Sequence, residues 1–267
     1  MRKHFPKSIK HYQGELVFQC THEDGTIEVV DDLVNRSLHF GTPEKQSSMS
    51  LKKYHQLILS YTQTMMTGLL LIENPKAVLN IGLGSGSIPH FIHHHFPQCM
   101  IDVVEIYEQV VQIAHEYFFL PNDHRISVHV DDAKDYVKRM NRKTYDMICV
   151  DIFDQNGMSN SAKDKSFIQY CKNSLNPGGV FIINLWSEPK KEVNGVIHNI
   201  MKSFNNKVLI LPVSQRSNRI VFGLNLSEIA FSESVLVQKA RLLDRKLKIN
   251  LLNLLKRLIE KNPKMIG

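Results

Sequence analysis

The chain has 267 residues, 43% hydrophobic and 22% charged, so it can bury a sizeable core and is not disordered as a whole. A formal net charge of +7 raises the question of nucleic acid. The basic residues are dispersed, however, apart from clusters at 2–10 and 239–264, and no RNP sequence or zinc-finger spacing is present, so nucleic acid is not the expected partner.

The basic stretch at the start has no apolar run of the kind a signal peptide carries. The most apolar early run, 65–72, is far short of the roughly 20 residues needed to span a bilayer, so no membrane insertion is expected. Residues 14–40 alternate apolar and polar positions around Asp24-Gly25 and Asp31-Asp32, the pattern of antiparallel hairpins. Residues 41–49 are polar and read as a loop. Leu51, Tyr54, Ile58, Tyr61, Met65 and Leu69 recur at helical spacing, which predicts a helix over 51–72 stopped by Asn74-Pro75.

From there the pattern turns to repeated β–α units. Strands are predicted at 77–81, 101–106, 126–130, 145–153 and 180–185. Helices are predicted at 87–95, 109–118, 133–140, 165–174 and 192–204. Strands that read as unbroken apolar runs between helices imply a parallel sheet covered on both faces. Two further strands, 208–213 and 219–224, are expected to close it as an antiparallel hairpin. Residues 232–261 form one amphipathic pattern, leucines on one face and Lys or Arg on the other, suited to packing on the domain or on a subunit neighbour. The expected organisation is a hairpin region 1–50, a cofactor-binding catalytic domain 51–226 and a helical extension 227–267.

Four scattered cysteines without a CxxC pair fit a reducing, cytoplasmic compartment. The run His93-His94-His95 invites a metal reading. Adjacent helical residues diverge by about 100° and His90 with His94 finds no third ligand, so no metal is expected.

Asn80-Ile81-Gly82-Leu83-Gly84-Ser85-Gly86-Ser87 follows a predicted strand and opens a helix, where glycines let the backbone approach a ligand closely. Glu105 ends the next strand, at the spacing where an acidic side chain meets a ribose diol. Asp132, after the third strand, is placed to meet an adenine amino group. Three such elements at successive strand ends point to an adenosyl cofactor, and GxGxG rather than GxGxxG favours a sulfonium nucleoside over NAD. The fourth strand ends Val150-Asp151-Ile152-Phe153-Asp154, two carboxylates able to hold a cationic substrate or take a proton from an amine. An Asp after a buried strand also often caps the next turn.

Together these segments resemble the spermidine/spermine synthase family, the polyamine aminopropyltransferases, in a divergent bacterial branch. VLNIGLGSG, VVEIYEQVVQIAHEYF, YDMICVDIFDQNG and NPGGVFIIN carry the resemblance. It implies an α/β fold, Rossmann-like and of the class I methyltransferase type, with a mostly parallel sheet, a small N-terminal antiparallel β unit and a C-terminal helical segment. It further implies S-adenosylmethionine or its decarboxylated form as donor, a small-molecule amine as acceptor, no metal, and a homodimer as one assembly to expect. Donor contacts fall on Gly82, Gly84, Ser85, Gly86, Glu105, Asp132, Ala133 and Gln63, acceptor contacts on Tyr61 and Asn184, and catalysis on Asp151 and Asp154.

The chain departs from the family where an acid in the glycine turn binds the donor's free amine, since Ser85 stands there. It departs again where Arg216-Ser217-Asn218-Arg219 replaces the stretch that closes the acceptor site. An acid facing an intact methionine carboxylate is worth a few kcal/mol, roughly a hundredfold in preference. Ser85 therefore argues for S-adenosylmethionine and methyl transfer, whereas Asp151 and Asp154 argue for a cationic amine. Aminopropyl transfer is ranked first and methyl transfer second. An inactive nucleoside-binding scaffold and an oxidoreductase follow.

Overall fold

The computed structural model describes residues 12–22, 25–72, 74–140, 144–154, 157–186, 189–227 and 231–263. The first four strands, β1 (Glu15–His22), β2 (Gly25–Asp31), β3 (Asn35–His39) and β4 (Ser47–Ser50), form an antiparallel sheet in chain order. Asp24, nominated for the first turn, lies outside the described residues. Arg36 fixes this sheet to the rest of the chain, with Nε and Nη2 on the Asp31 carboxylate at 2.6 and 2.7 Å and Nη1 on the Tyr117 carbonyl at 2.7 Å.

Two expectations fail here, for local reasons. The polar stretch 41–49 contains the start of β4, a buried strand made mostly of serines. Its hydroxyls are satisfied internally, so its polarity does not mark it as exposed loop. The predicted helix over 51–72 shrinks to α1 (Ser60–Met65) and a 3₁₀ turn at Met66–Leu70. At its expected start the Ser50 hydroxyl accepts from the backbone N–H of Lys52 and Lys53 at 3.3 and 3.2 Å, a local turn that competes with helix.

The main sheet has seven strands, in the order β12-β13-β11-β8-β5-β6-β7. The chain enters at β5 (Ala77–Ile81) and passes through α2 (Ser87–His95), β6 (Met100–Glu105), α3 (Glu108–Phe118) and β7 (Ile126–Val130). It returns through α4 (Ala133–Arg139) to β8 (Tyr145–Val150), on the other side of β5. A short hairpin, β9 (Phe153–Asp154) with β10 (Gly157–Met158), precedes α5 (Asn160–Lys163) and α6 (Lys165–Asn173). Then come β11 (Leu175–Trp186), α7 (Lys190–Ser203), β12 (Val208–Pro212) and β13 (Asn218–Leu224). β5, β6, β7, β8 and β11 run parallel, while β13 is antiparallel to both its neighbours.

The central strands are apolar at consecutive positions because both faces are covered. Val78, Met147, Cys149, Val180 and Ile182 join one core cluster. Leu79, Ile81, Ile148, Val150, Phe181 and Ile183 join the other. The strand order reverses between β5 and β8, and this is the switch point, outside whose strand ends ligands bind in open α/β sheets. No described helix is long and apolar enough to cross a membrane.

The single amphipathic pattern at the C-terminus is two helices, α8 (Glu233–Leu247) and α9 (Leu251–Lys261). Lys248 breaks them with φ of 57°, and the Asp244 carboxylate accepts from Leu252 N–H at 3.3 Å across the break. Their buried face, including Leu236, Ala240, Leu255 and Leu258, joins the same cluster as Leu69, Leu209 and Leu211, so the extension packs on the chain's own core. Leu255→Ala should therefore cost about 2–5 kcal/mol, whereas Leu242→Ala, 67% exposed, should stay within about 0.5 kcal/mol. Urea denaturation of the two variants checks this. Equal, negligible losses would mean that the extension is not part of the cooperative fold.

Candidate active site

The glycine turn leaves β5 with Gly82, Gly84 and Gly86 at φ of 89°, 54° and 75°. Gly82 is also a close approach. A Cβ there would meet the Asp151 carbonyl oxygen at 2.2 Å, so β5 and the end of β8 touch because one residue has no side chain. The Glu105 carboxylate lies beneath the turn, with Oε2 accepting from Leu83 N–H at 2.9 Å and Oε1 from Tyr107 N–H at 3.1 Å. Burial nevertheless raises its pKa above the usual carboxylate value, outweighing these N–H donors.

Above the turn opens a cavity of about 700 Å³. It is lined by the carboxyl ends of β5, β6 and β8, by 43–47 leading into β4, by Leu59–Tyr61, and by 159–161. Asp151 sits on its floor. The Asn184 amide donates to Asp151 Oδ1 at 2.9 Å, and Asn218 donates to Asn184 Oδ1 at 3.0 Å. The Tyr61 hydroxyl is within hydrogen-bonding reach of the same carboxylate and has a second acceptor, the Gln46 carbonyl, at 3.1 Å. It has one proton, so it serves one acceptor at a time. Burial raises the Asp151 pKa above the ordinary value despite the donors from Asn184 and Tyr61.

Of the nominated residues, Tyr61, Gly82, Gly84, Glu105, Asp132, Ala133, Asp151 and Asn184 line this cavity. Asp132 also caps α4, with Oδ1 accepting from Lys134 and Asp135 N–H at 2.8 and 3.0 Å. Ser85, Gly86 and Gln63 do not line it. Ser85 is fully buried, its hydroxyl 2.6 Å from that of Ser47 and 2.8 Å from that of Ser87. Gly86 packs against Leu120, and the Gln63 amide donates to the Leu57 carbonyl at 2.8 Å. The side chain of Asp154 lies outside what the structure describes. Sequence reasoning missed Gln46 and Ser47, hidden in a stretch read as loop. It noted 216–219 only as a departure, yet Arg216 and Asn218 line the cavity.

Of the three adjacent histidines, His93 turns away while His94 and His95 lie together. His93 Nε2 pairs with Asp123 at 3.0 Å and also meets Arg125. His94 stacks on His55, with centroids 3.6 Å apart and planes at 7°, and His95 stands edge-on to both. His55, unforeseen from sequence, belongs to the segment where a helix was predicted.

A doubly covered sheet with an acid-lined cavity at its switch point, roofed by a small N-terminal sheet, defines a transferase of the class I methyltransferase type. A family model for the spermine/spermidine synthase domain matches residues 53–214. The chain belongs to that family. It is 33% identical over 242 residues to a polyamine aminopropyltransferase of Chromobacterium violaceum, covering 90% of this chain and 92% of that one. Human methyltransferase-like protein 13, solved in complex with SAH, is 30% identical, with a TM-score of 0.66 over 72% of this chain and 93% of that one. A probable spermidine synthase from Corynebacterium glutamicum shares the fold, with a TM-score of 0.69 at 20% identity over 85% and 86% of the two chains.

Proposed function

We propose that the chain transfers an aminopropyl group from decarboxylated S-adenosylmethionine to a small amine, releasing methylthioadenosine. The observation that carries this reading is the Asp151 carboxylate on the cavity floor, oriented by Asn184 and Tyr61 beside the glycine turn. The polyamine aminopropyltransferase relative supports it over nearly the whole chain.

The reaction is a direct displacement. The amine lone pair forms a C–N bond to the carbon next to sulfur, the C–S bond breaks, and its electron pair neutralises the sulfonium. With so good a leaving group, the protein mainly aligns an unprotonated nitrogen behind that carbon. Amines are mostly protonated at neutral pH, and Asp151 receives the proton the nitrogen gives up. Its raised pKa brings it closer to the operating pH, where a general base is most effective. Glu105, which accepts from backbone N–H groups of the glycine turn and of the segment after β6, would meet the ribose hydroxyls. Asp132 and Ala133 would border the adenine, and Asp154 would hold the cationic end of the acceptor.

Methyl transfer from intact S-adenosylmethionine is the second reading, and the Ser47–Ser85–Ser87 hydroxyl cluster favours it. Where the family places an acid for the donor amine, this turn presents none, and no anion there repels a methionine carboxylate. The human relative solved with SAH is a methyltransferase by name. Purified protein is offered each donor in turn with putrescine or spermidine, and the decarboxylated donor should yield the mass increment of an aminopropyl group. A methyl increment would reverse the order of the two readings. Nucleoside binding without product from a broad amine panel would leave a scaffold.

A further inference from the structure

We propose that His55, His94 and His95 form a binding site for a divalent transition-metal ion such as Zn²⁺ or Ni²⁺. Their nearest ring nitrogens all lie within 4.8 Å of one another. His94 and His95 occupy the last turn of α2, and His55 reaches them from the irregular segment before α1. His94 and His95 already stand edge-on to each other although adjacent on the helix, and the third imidazole arrives from a different element to complete the group.

The donor set determines the class of ion. Three imidazoles suit zinc, nickel, cobalt or copper, while magnesium and calcium take oxygen ligands. Zinc bonds to nitrogen of about 2.0–2.1 Å place tetrahedral ligand atoms roughly 3.4 Å apart. His55 and His94 are stacked nearly parallel, so their in-plane lone pairs do not yet converge. His94 is exposed and His55 half-buried, and binding would take a ring rotation that aims both into the gap beside His95. The C-terminal end of α2 adds the negative pole of its helix dipole to the same spot. Three protein ligands leave a fourth position for water.

The site lies outside the cavity and is independent of the transfer reaction proposed above. Its position has a structural meaning all the same. α2 begins at the glycine turn, and His55 lies shortly before Leu59, Ser60 and Tyr61, which line the cavity. An ion held by the three imidazoles would clamp these two segments together.

The test is calorimetric titration of chelator-treated full-length protein with ZnCl₂ and, separately, NiCl₂ and MgCl₂, with Tm followed in parallel. Zinc should bind at one ion per chain with micromolar affinity and raise Tm, and magnesium should do neither. His55→Ala and His94→Ala should each weaken zinc by about 100-fold, at least the loss seen for outer-shell partners of metal ligands. His93→Ala, at a residue turned to Asp123 and Arg125, should bind zinc as the parent does. X-ray absorption on the zinc-loaded parent should show three imidazole nitrogens. Absence of zinc binding at millimolar concentration would overturn the proposal. So would zinc binding of parental strength in both the His55 and the His94 variants, each with a parental circular dichroism spectrum.

Discussion

Asp151→Asn is expected to lower kcat by about 10²–10⁴-fold, the range general-base catalysis supplies, while leaving the fold intact. The substituted amide keeps an oxygen to accept from Asn184 or Tyr61, so the cavity floor loses a charge but little packing. The direction of the pKa shift fixes what happens to stability. A carboxyl whose pKa is raised by folding favours the native state below its unfolded pKa, and that contribution is lost as pH rises through the raised folded value. At neutral pH the parent therefore carries the cost of a buried anion that the variant lacks. The variant's Tm should equal or exceed the parent's. In activity the sign is opposite, because only ionised Asp151 can take a proton. The parent's kcat should rise with pH through a limb above the normal carboxylate range, and that limb should vanish in the variant. A variant that melts well below the parent would make Asp151 a structural residue, and an unchanged pH profile would remove it from catalysis.

Gly82→Ala should be strongly destabilising. The added carbon would stand 2.2 Å from the Asp151 carbonyl oxygen, at a φ of 89° that L-residues rarely adopt. The left-handed conformation costs roughly 1–2 kcal/mol and overpacking about 1–3 kcal/mol, so a loss of about 2–5 kcal/mol is expected. Because the atom that must yield is main chain at the end of β8, on the cavity, donor affinity should fall with stability. Gly178→Ala is the control. It shares a positive φ of 82°, but nothing lies within 4 Å of its added carbon, so only the conformational cost applies. Chemical denaturation of both, with calorimetry using methylthioadenosine, separates strain from collision. Equal losses would mean that the close approach at Gly82 relaxes freely.

The β–α core was legible because its strands carry an unmixed signal. Val78-Leu79, Met147–Val150 and Val180–Ile183 are apolar at successive positions, which only burial on both faces explains. α2 and β7 occupy the residues expected of them, since Gly86 and Phe96-Pro97 bracket the first and polar turns the second. What was lost is where polar atoms satisfy one another. β4 is built of serines, and nothing local says that Ser47 will find Ser85 across the chain. The helix expected over 51–72 failed because apolar spacing does not register a Ser50 turn or the bridge between Met49 and Leu57. In the cavity, residues tied to strand ends could be located, whereas Gln46 and Asn218 depend on tertiary approach.

The donor chain from Asn218 through Asn184 to Asp151, with Gln46 on the far side of Tyr61, has a consequence for biosynthesis. These residues leave the ribosome in the order 46, 61, 151, 184, 218, so the contact that fixes Asn184 forms only when the last of them has been made and paired in β13. A nascent chain stalled before that strand contains the residues of the glycine turn and β5–β8 yet lacks the group that aligns Asn184. The full donor chain to Asp151 therefore exists only in a chain long enough to include β13. Specific activity in a translation reaction should lag behind appearance of the nucleoside-binding core by the time needed to synthesise and dock its last strands.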